Sequence, residues 1–177
     1  MRIFTQEKDT VTIERKTGDK HIERIVHYSE GMLDEMLRLF YNTVHTVNAR
    51  DYDDAQLDNW APVAIDKTKW KERLSNNVCL VSLSNEQIVG FGELSEEGGI
   101  DTMFVHEDFQ GKKIASRILK QLINCAHEHE LTTLTTDASI TARPFFERHG
   151  FEVVKKQRNQ YKGMIFINYK MKKNIIP

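Results

Sequence analysis

The stretch Val105-His106-Glu107-Asp108-Phe109-Gln110-Gly111-Lys112-Lys113-Ile114-Ala115 decides the fold of this chain. A short apolar segment over 100–105 precedes it and is predicted to be a strand, and a helix is predicted to begin at Lys112. A small-residue turn between a strand and a helix directs free backbone N–H groups and the positive end of the helix dipole to one place. Such a place binds phosphate, so the pattern predicts a phosphate-bearing ligand.

The helix predicted from Lys112 onward is amphipathic. Its apolar residues recur at helical spacing and indicate one buried face, formed by Ile114, Ile118, Leu122 and Ala126 with Ala115, Leu119 and Ile123 beside them. Lys112, Lys113 and Arg117 fall outside this face. They either contact the phosphate or form an ordinary solvated helix surface, and we favour the phosphate contact.

The remaining chain reads as helices followed by strands. Helical patterns cover 32–44, 53–60 and 66–74, with Ser29 and Asp66 as cap residues, and Pro144 opens a short helix that ends at Gly150. Strands are predicted over 22–28, 78–83, 88–94, 131–137, 151–154 and 164–171. This order is typical of an α+β fold with a mixed, mostly antiparallel sheet flanked by helices. Residues 1–21, with a turn at 17–20, are predicted to be an N-terminal extension of a domain over 22–177.

Composition places the chain among ordinary globular proteins. It has 177 residues, 40% of them hydrophobic and 29% charged, and a formal net charge of −1, which excludes a disordered or fibrous class. Residues 143–177 carry nine basic residues against two acidic ones. This bias fits either a nucleic-acid surface or solvated strands near a phosphorylated ligand. Because no basic motif with interleaved aromatic residues is present, we expect no nucleic-acid partner.

The cysteines and the N-terminus exclude further classes. Cys79 and Cys125 sit in apolar patterns without CxxC spacing and are predicted to be free, buried residues. No His, Cys, Asp or Glu cluster has metal-ligand spacing, so no metal is expected. The first residues lack an apolar signal core and no segment approaches the length of a membrane span. We expect a cytoplasmic protein that contacts no membrane.

A second motif, Ala142-Arg143-Pro144-Phe145-Phe146-Glu147-Arg148-His149-Gly150-Phe151, follows about thirty residues after the first. Together the two motifs resemble those of the Gcn5-related N-acetyltransferase (GNAT) superfamily, in particular a bacterial subgroup of uncharacterised acetyltransferases, over roughly 22–171. The first is similar to the family's coenzyme A pyrophosphate loop, Q/R-x-x-G-x-G/A, and the second to the helix beside the pantetheine. The resemblance implies a GNAT fold with splayed central strands at an acetyl-CoA site, and acetyl-CoA as co-substrate.

Carried onto this sequence, the resemblance implies a set of cofactor-binding residues in three segments. They are Met103, Phe104 and Val105 on the strand, Gln110, Gly111, Lys112, Lys113, Ile114, Ala115 and Ser116 in the loop, and Ser139, Ala142, Phe145 and Phe146 at the second motif.

Three positions depart from the family pattern. Lys113 stands where the family has glycine, and we expect a helical conformation to accommodate the lysine. Ser139 replaces an asparagine that often binds the cofactor. Phe146 replaces a tyrosine that often protonates the departing thiolate; a thiol with a pKa of about 8.5 also leaves as the thiolate. Ser139, Tyr161 and Tyr169 are alternative proton donors.

Transfer to an amine needs a base, because a free primary amine has a pKa of about 10.4. Glu93 and His45 are the predicted catalytic residues, and Asp101 and His106 are further candidates. Glu93 follows Gly90-Phe91-Gly92, whose missing side chains are expected to leave room for the acceptor. The alternative is that Glu93 faces solvent.

The acceptor is expected to bind the polar, aromatic segment over 41–62. Tyr41, Asn48 and Trp60 are the predicted acceptor-binding residues, with His45 beside them. The alternative is that Trp60 and Tyr52 only pack the junction between helices.

The sequence therefore predicts an N-acetyltransferase that moves an acetyl group from acetyl-CoA to a small-molecule amine or peptide acceptor by direct attack in a ternary complex. The chain is expected to be a monomer or a homodimer. One alternative is a non-catalytic acyl-CoA-binding sensor or interaction module, which the phenylalanine at position 146 favours. The other is a nucleic-acid-associated protein, which rests only on the basic C-terminal third.

Overall fold

The computed structural model describes residues 15–17 and 21–175, with side chains from residue 23 onward. Residues 18–20 of the predicted turn and most of the predicted N-terminal extension lie outside the described residues, and Thr17 ends β1. The strands are β1 Arg15–Thr17, β2 His21–His27, β3 Val78–Ser84, β4 Gln87–Leu94, β5 Met103–Val105, β6 Thr133–Ser139, β7 Glu152–Tyr161 and β8 Met164–Asn174. The helices are α1 Leu33–Thr46, α2 Asp54–Trp60, α3 Lys67–Asn76, α4 Ile114–Glu128 and α5 Arg143–Arg148.

The strands form two sheets. One has five strands in the order β1-β2-β3-β4-β5 and the other three in the order β6-β8-β7, with every neighbouring pair antiparallel. A parallel bridge between Gly99 and Thr135 joins them. The α+β architecture with mostly antiparallel strands and flanking helices is confirmed.

The predicted strand over 100–105 is shorter in the structure, because its first part turns toward β6. The N–H of Ile100 donates to the carbonyl of Thr135 (2.8 Å), and Thr136 Oγ1 donates to the carbonyl of Ile100 (2.7 Å). Only Met103–Val105 then pairs with β4. The chain thus contacts both sheets at residues 99–100 and follows only β4 afterwards.

Two hydrophobic cores cover the two faces of the five-stranded sheet. On one face α4 buries Ile118, Leu119 and Leu122 against β3 and β4, as its apolar spacing predicts. On the other face α1 buries Met36 and Phe40 together with parts of α2 and α3. The predicted buried, unpaired state of both cysteines is confirmed.

The glycines of β4 face α4 and leave no room for an acceptor, contrary to the prediction. A Cβ at Gly90 would lie 2.9 Å from Ile114 Cγ2, and one at Gly92 would lie 3.0 Å from Ile118 Cγ2. Side chains alternate along a strand, so Phe91 and Glu93 face the α1–α3 side instead. The glycines allow α4 to pack close to the sheet.

Polar caps fix the start of two predicted helices. Asp53 and Gln56 form a reciprocal capping box at α2, and the Asp66 carboxylate accepts from the N–H of Lys69 at α3. Ser29 precedes a short 3-10 turn and makes no side-chain cap bond. The segment predicted over 151–154 is the beginning of a longer strand, β7, whose residues are almost all exposed and therefore lack an apolar period.

Candidate active site

A cavity of about 770 Å³ opens between β5 and β6, beyond the bridge that joins the two sheets. This volume suits a sizeable small-molecule ligand. Most of the predicted cofactor-binding residues line it: Met103, Phe104, Val105, Gln110, Gly111, Lys113, Ile114, Ala115, Ser116, Ser139, Ala142, Phe145 and Phe146. The two predicted motifs are therefore brought together, one on each side of the same cavity.

The loop before α4 is built on two residues with left-handed backbone. Gly111 has φ 74°, and Lys113, the residue before the helix, has φ 61° and ψ 16°. The helix begins at Ile114, so the prediction that Lys113 is helical is wrong. Lys113 keeps a conformation that glycine adopts more readily. The N–H groups of Ile114, Ala115 and Ser116 have no partner within the helix and lie at the cavity.

The three basic side chains near this loop have different surroundings. Lys113 lines the cavity, whereas Lys112 does not: its Nζ donates to the carbonyl of Asp108 (3.1 Å) and lies 4.3 Å from the centre of the Phe109 ring. Arg117 pairs with Glu23 at 2.9 Å. Of the three, only Lys113 stands free at the cavity wall.

The backbone of β5 directs polar groups into the cavity. At one end of β5 the N–H of Glu93 donates to the carbonyl of Thr102 (3.0 Å), and at the other the N–H of His106 donates into β4 (3.0 Å). Hydrogen-bonded and non-hydrogen-bonded pairs alternate along an antiparallel ladder. Thr102 and His106 are in hydrogen-bonded pairs. Met103 and Val105, the residues next to them on β5, are therefore in non-hydrogen-bonded pairs. Their N–H groups point away from β4, toward the cavity.

The carbonyl of Val105 is held by two side chains. Gln110 Nε2 donates to it at 2.6 Å, and Thr43 Oγ1 on α1 donates to it at 3.0 Å. These bonds tie the loop and α1 to the end of β5. The side chain of Gln110 therefore orders the loop from within.

The second motif forms the opposite wall. Ser139 Oγ accepts from the N–H of Ala142 (3.0 Å) and so stabilises the turn that leads into α5. Phe146 is 3% exposed and packs against Phe151, with ring centres 5.1 Å apart. Tyr161 and Tyr169, the other predicted proton donors, do not line the cavity.

Glu93, a predicted catalytic residue, is buried and does not line the cavity. Its side chain accepts from Thr102 Oγ1 (2.6 Å) and pairs with Arg73 Nε (3.1 Å), and the residue is 1% exposed. Burial raises the pKa of this carboxyl, and the Arg73 charge opposes that rise. The alternative that Glu93 faces solvent is wrong. Arg73, whose guanidinium lies 4.2 Å from the centre of the Trp70 ring, covers it.

His45 and Tyr41 also lie outside the cavity wall. The His45 ring stacks on Tyr41 at 4.1 Å, and its nitrogens face the carbonyl of Tyr41 (2.9 Å) and Asp58 Oδ1 (3.1 Å). His45 thus connects α1 to α2.

Asn48 and Trp60, the other two predicted acceptor-binding residues, do line the cavity. His106 Nδ1 accepts from the N–H of Asp108 (3.2 Å), which is the bond of a turn residue.

A latch, formed by residues 50–52 and 140–141, joins the two halves of the cavity wall. Tyr52 Oη donates to the carbonyl of Ile167 (2.8 Å) and accepts from the N–H of Ile140 (3.0 Å). Asp51 Oδ2 accepts from Thr141 Oγ1 (2.6 Å) and from Arg50 Nε (3.0 Å). The latch attaches the segment between α1 and α2 to the second sheet.

Four charged or titratable residues line the cavity although no sequence pattern assigns them a role: Arg50, Asp137, Arg148 and His149. Asp101, a further candidate for the base, also lines it. Asp137 is a single acid on a strand, and nothing in its local pattern places it opposite Asp101. Asp101 is exposed, yet partial desolvation by its neighbours, and then the charge of Asp137, raise its pKa.

The described part of the chain lacks both a membrane-spanning helix and a metal-binding cluster. No helix there is both long and apolar enough to span a membrane. No group of three or more His, Cys, Asp and Glu side chains among these residues is arranged to hold a metal ion.

Known proteins resemble this chain in sequence and in fold. A family model described as an acetyltransferase (GNAT) domain matches residues 48–173. An uncharacterised N-acetyltransferase of Escherichia coli K12, YafP, is 38% identical over 149 residues, which cover 84% of this chain and 94% of YafP.

Solved structures show the same fold. A GCN5-related N-acetyltransferase from Rhodopseudomonas palustris superposes with a TM-score of 0.82 at 26% identity, covering 85% of this chain and 94% of the other. The PaiA N-acetyltransferase of Thermoplasma acidophilum, crystallised in complex with coenzyme A, superposes with a TM-score of 0.73 at 14% identity, covering 86% and 99%.

Proposed function

The chain belongs to the GNAT acetyltransferase family and is an acetyl-CoA-dependent N-acetyltransferase; from that premise we propose that it acetylates a primary amine by direct attack in a ternary complex. The observation that carries this proposal is the single cavity that both motifs line, with free N–H groups at one end and aromatic and acidic side chains elsewhere on its wall. One cavity that holds both substrates needs no acetyl-enzyme intermediate.

The pyrophosphate of acetyl-CoA is assigned to the loop before α4. Three N–H groups at the start of this helix are free, and the helix dipole adds a positive potential there. Lys113 contributes a cation on the cavity wall. PaiA, which has the same fold, was crystallised with coenzyme A, which supports coenzyme A as a ligand of this chain.

The pantetheine is assigned to the gap between β5 and β6. The N–H groups of Met103 and Val105 point into this gap and can bond to its amide carbonyls. One of them, that of Val105, is proposed to stabilise the oxyanion that forms when the amine attacks the thioester, because a fixed N–H donor favours developing negative charge. Phe145 and Phe146 form the apolar wall beyond.

The leaving group is proposed to depart as the thiolate. No tyrosine among residues 23–175 lines the cavity, and a thiol with a pKa of about 8.5 is an adequate leaving group near neutral pH. The thiolate then takes a proton that the attacking nitrogen loses as the amide forms. The side chain at position 146 therefore does not prevent transfer.

The acceptor is proposed to enter beside Trp60 and Phe104. These rings line the cavity together with Asn48, while Asp101 and Asp137 supply negative charge. An aromatic face and carboxylates both attract an alkylammonium ion. The proposed acceptor is therefore an amine that is protonated in solution.

A panel of primary amines, monitored by thiol release and by mass spectrometry of the product, tests the proposal. We expect one or more amines to gain 42 Da, and initial rates with both substrates varied to give intersecting double-reciprocal lines. Parallel lines would indicate an acetyl-enzyme and contradict direct attack. Saturable acetyl-CoA binding with no acetylated amine would favour the non-catalytic binding module.

A further inference from the structure

We infer that Asp101 is the catalytic base of this enzyme, the carboxylate that takes a proton from the acceptor ammonium before the amine attacks; this inference rests on the proposed function. Asp101 follows the point where the two sheets meet, directly after the bridge at Gly99 and the bond from Ile100 to Thr135. Its side chain lines the cavity.

The position of Asp101 is set by the backbone on both sides of it. Residues 99 and 100 are tied to β6, and Thr102 is tied to β4 through its carbonyl. A Cβ placed on Gly99 would lie 3.2 Å from Asp101 Oδ2, so the carboxylate is held close to a backbone without a side chain. It stands where β5 and β6 begin to separate.

The other predicted bases lack this access. Glu93 is 1% exposed and is engaged by Thr102 and by Arg73, and it does not line the cavity. His45 is engaged by Tyr41 and Asp58 outside the cavity. Of the bases predicted from the sequence, Asp101 is the one whose side chain reaches the cavity.

The charged groups around Asp101 come from four elements. Asp137 on β6 and Glu97 in the loop after β4 favour the protonated carboxyl, whereas Arg73 on α3 and Lys170 on β8 favour the carboxylate. Asp101 is exposed, but partial desolvation and the Asp137 charge raise its pKa. A base with a raised pKa retains a proton more readily, which suits proton transfer near neutral pH.

The proposed step balances as follows. The acceptor R-NH₃⁺ gives one proton to the Asp101 carboxylate, and the freed nitrogen lone pair forms the C–N bond at the thioester carbonyl. The C–S bond then breaks and the sulfur keeps the electron pair. The nitrogen loses a second proton, which the thiolate takes to form coenzyme A, and Asp101 releases its proton to water.

The test compares Asp101→Asn, Glu93→Gln and Asp137→Asn with the wild type, using the best amine of the panel. General-base catalysis contributes about 10²–10⁴-fold, so we expect Asp101→Asn to lower kcat/KM for the amine at least a hundredfold without changing acetyl-CoA affinity in calorimetry. In a plot of kcat/KM against pH, protonation of Asp101 produces the fall at low pH, called the low-pH limb. Asp137→Asn removes a negative charge that raises the pKa of Asp101, so we expect this limb to move to lower pH. We expect Glu93→Gln to show the same low-pH limb as the wild type.

The outcomes separate the two proposals. If the wild type acetylates amines and Asp101→Asn loses less than tenfold, or if the low-pH limb survives in that variant, Asp101 is not the base. If the low-pH limb of kcat/KM disappears in Glu93→Gln but not in Asp101→Asn, the inference is overturned and Glu93 is the catalytic base. If the wild type acetylates no amine while binding acetyl-CoA, the proposed function itself fails.

Discussion

At the residue scale, Lys113 shows what a motif predicts and what it leaves open. The motif placed Lys113 at the phosphate loop, and the structure puts it on the cavity wall. Its backbone conformation was not predictable, because helical periodicity says nothing about a residue just before the helix. The same limit applies to Glu93, whose cover by Arg73 depends on a helix twenty residues away in sequence.

Lys113→Gly is expected to raise stability while weakening acetyl-CoA binding. A non-glycine residue in the left-handed region costs about 1 kcal/mol, part of which glycine returns through the entropy of the unfolded chain. Denaturant unfolding should therefore show a gain of at most about 0.5 kcal/mol, and calorimetry a severalfold weaker acetyl-CoA affinity because the cation is lost. A loss of stability would contradict the left-handed assignment at φ 61°.

At the element scale, the contact between α4 and β4 sets where the phosphate loop ends. The apolar period of α4 predicted its buried face correctly. The partner surface was not predictable, because two glycines in a strand fit either an open acceptor site or a close helix contact. The structure shows a close helix contact, because Ile114 and Ile118 of α4 fill the space beside the two glycines of β4.

Gly90→Ala is expected to destabilise the protein and to weaken cofactor binding together. Its Cβ would lie 2.9 Å from Ile114 Cγ2 and 3.1 Å from the carbonyl oxygen of Phe104, and overpacking of this kind costs about 1–3 kcal/mol. Because Ile114 begins α4, its displacement moves the free N–H groups, so acetyl-CoA affinity in calorimetry should fall.

Gly31→Ala is the matched control for this prediction. No atom lies within 4 Å of a Cβ at Gly31, and such a surface change stays within about 0.5 kcal/mol. Equal effects of the two variants on thermal unfolding would contradict the close contact between α4 and β4.

At the scale of the whole molecule, the site lies where two sheets meet at one bridge, and residues of β5 and β6 line its cavity. The order of elements and the antiparallel hairpins were predictable from local patterns. The division into two sheets, the length of β7 and the electrostatic effect of Asp137 on Asp101 were not, since they depend on how distant segments are placed. β8 lies between β6 and β7, so both of its edges are paired.

Tyr52→Phe tests the latch between the two halves. The Tyr52 residue is 7% exposed, and its hydroxyl bonds to Ile140 and Ile167 in the second sheet and its loop. Ile140 and Ile167 are partly buried, and leaving such backbone groups without a partner costs up to about 3 kcal/mol. We expect that loss in urea unfolding and faster amide exchange at Ile140. Tyr161→Phe, at an exposed tyrosine, should show neither change, and equal losses in both variants would contradict the latch.

The measurement that tests the central claim most directly is calorimetric titration of the protein with acetyl-CoA, alongside Lys113→Glu and the control Lys156→Glu. A charge-assisted hydrogen bond contributes about 1.5–3 kcal/mol, so the account predicts saturable binding to the wild type that Lys113→Glu weakens about tenfold or more. Lys156→Glu, which reverses an exposed charge on β7 away from the cavity, should bind like the wild type. Equal affinity in all three proteins, or no binding to any of them, would contradict the placement of acetyl-CoA in this cavity.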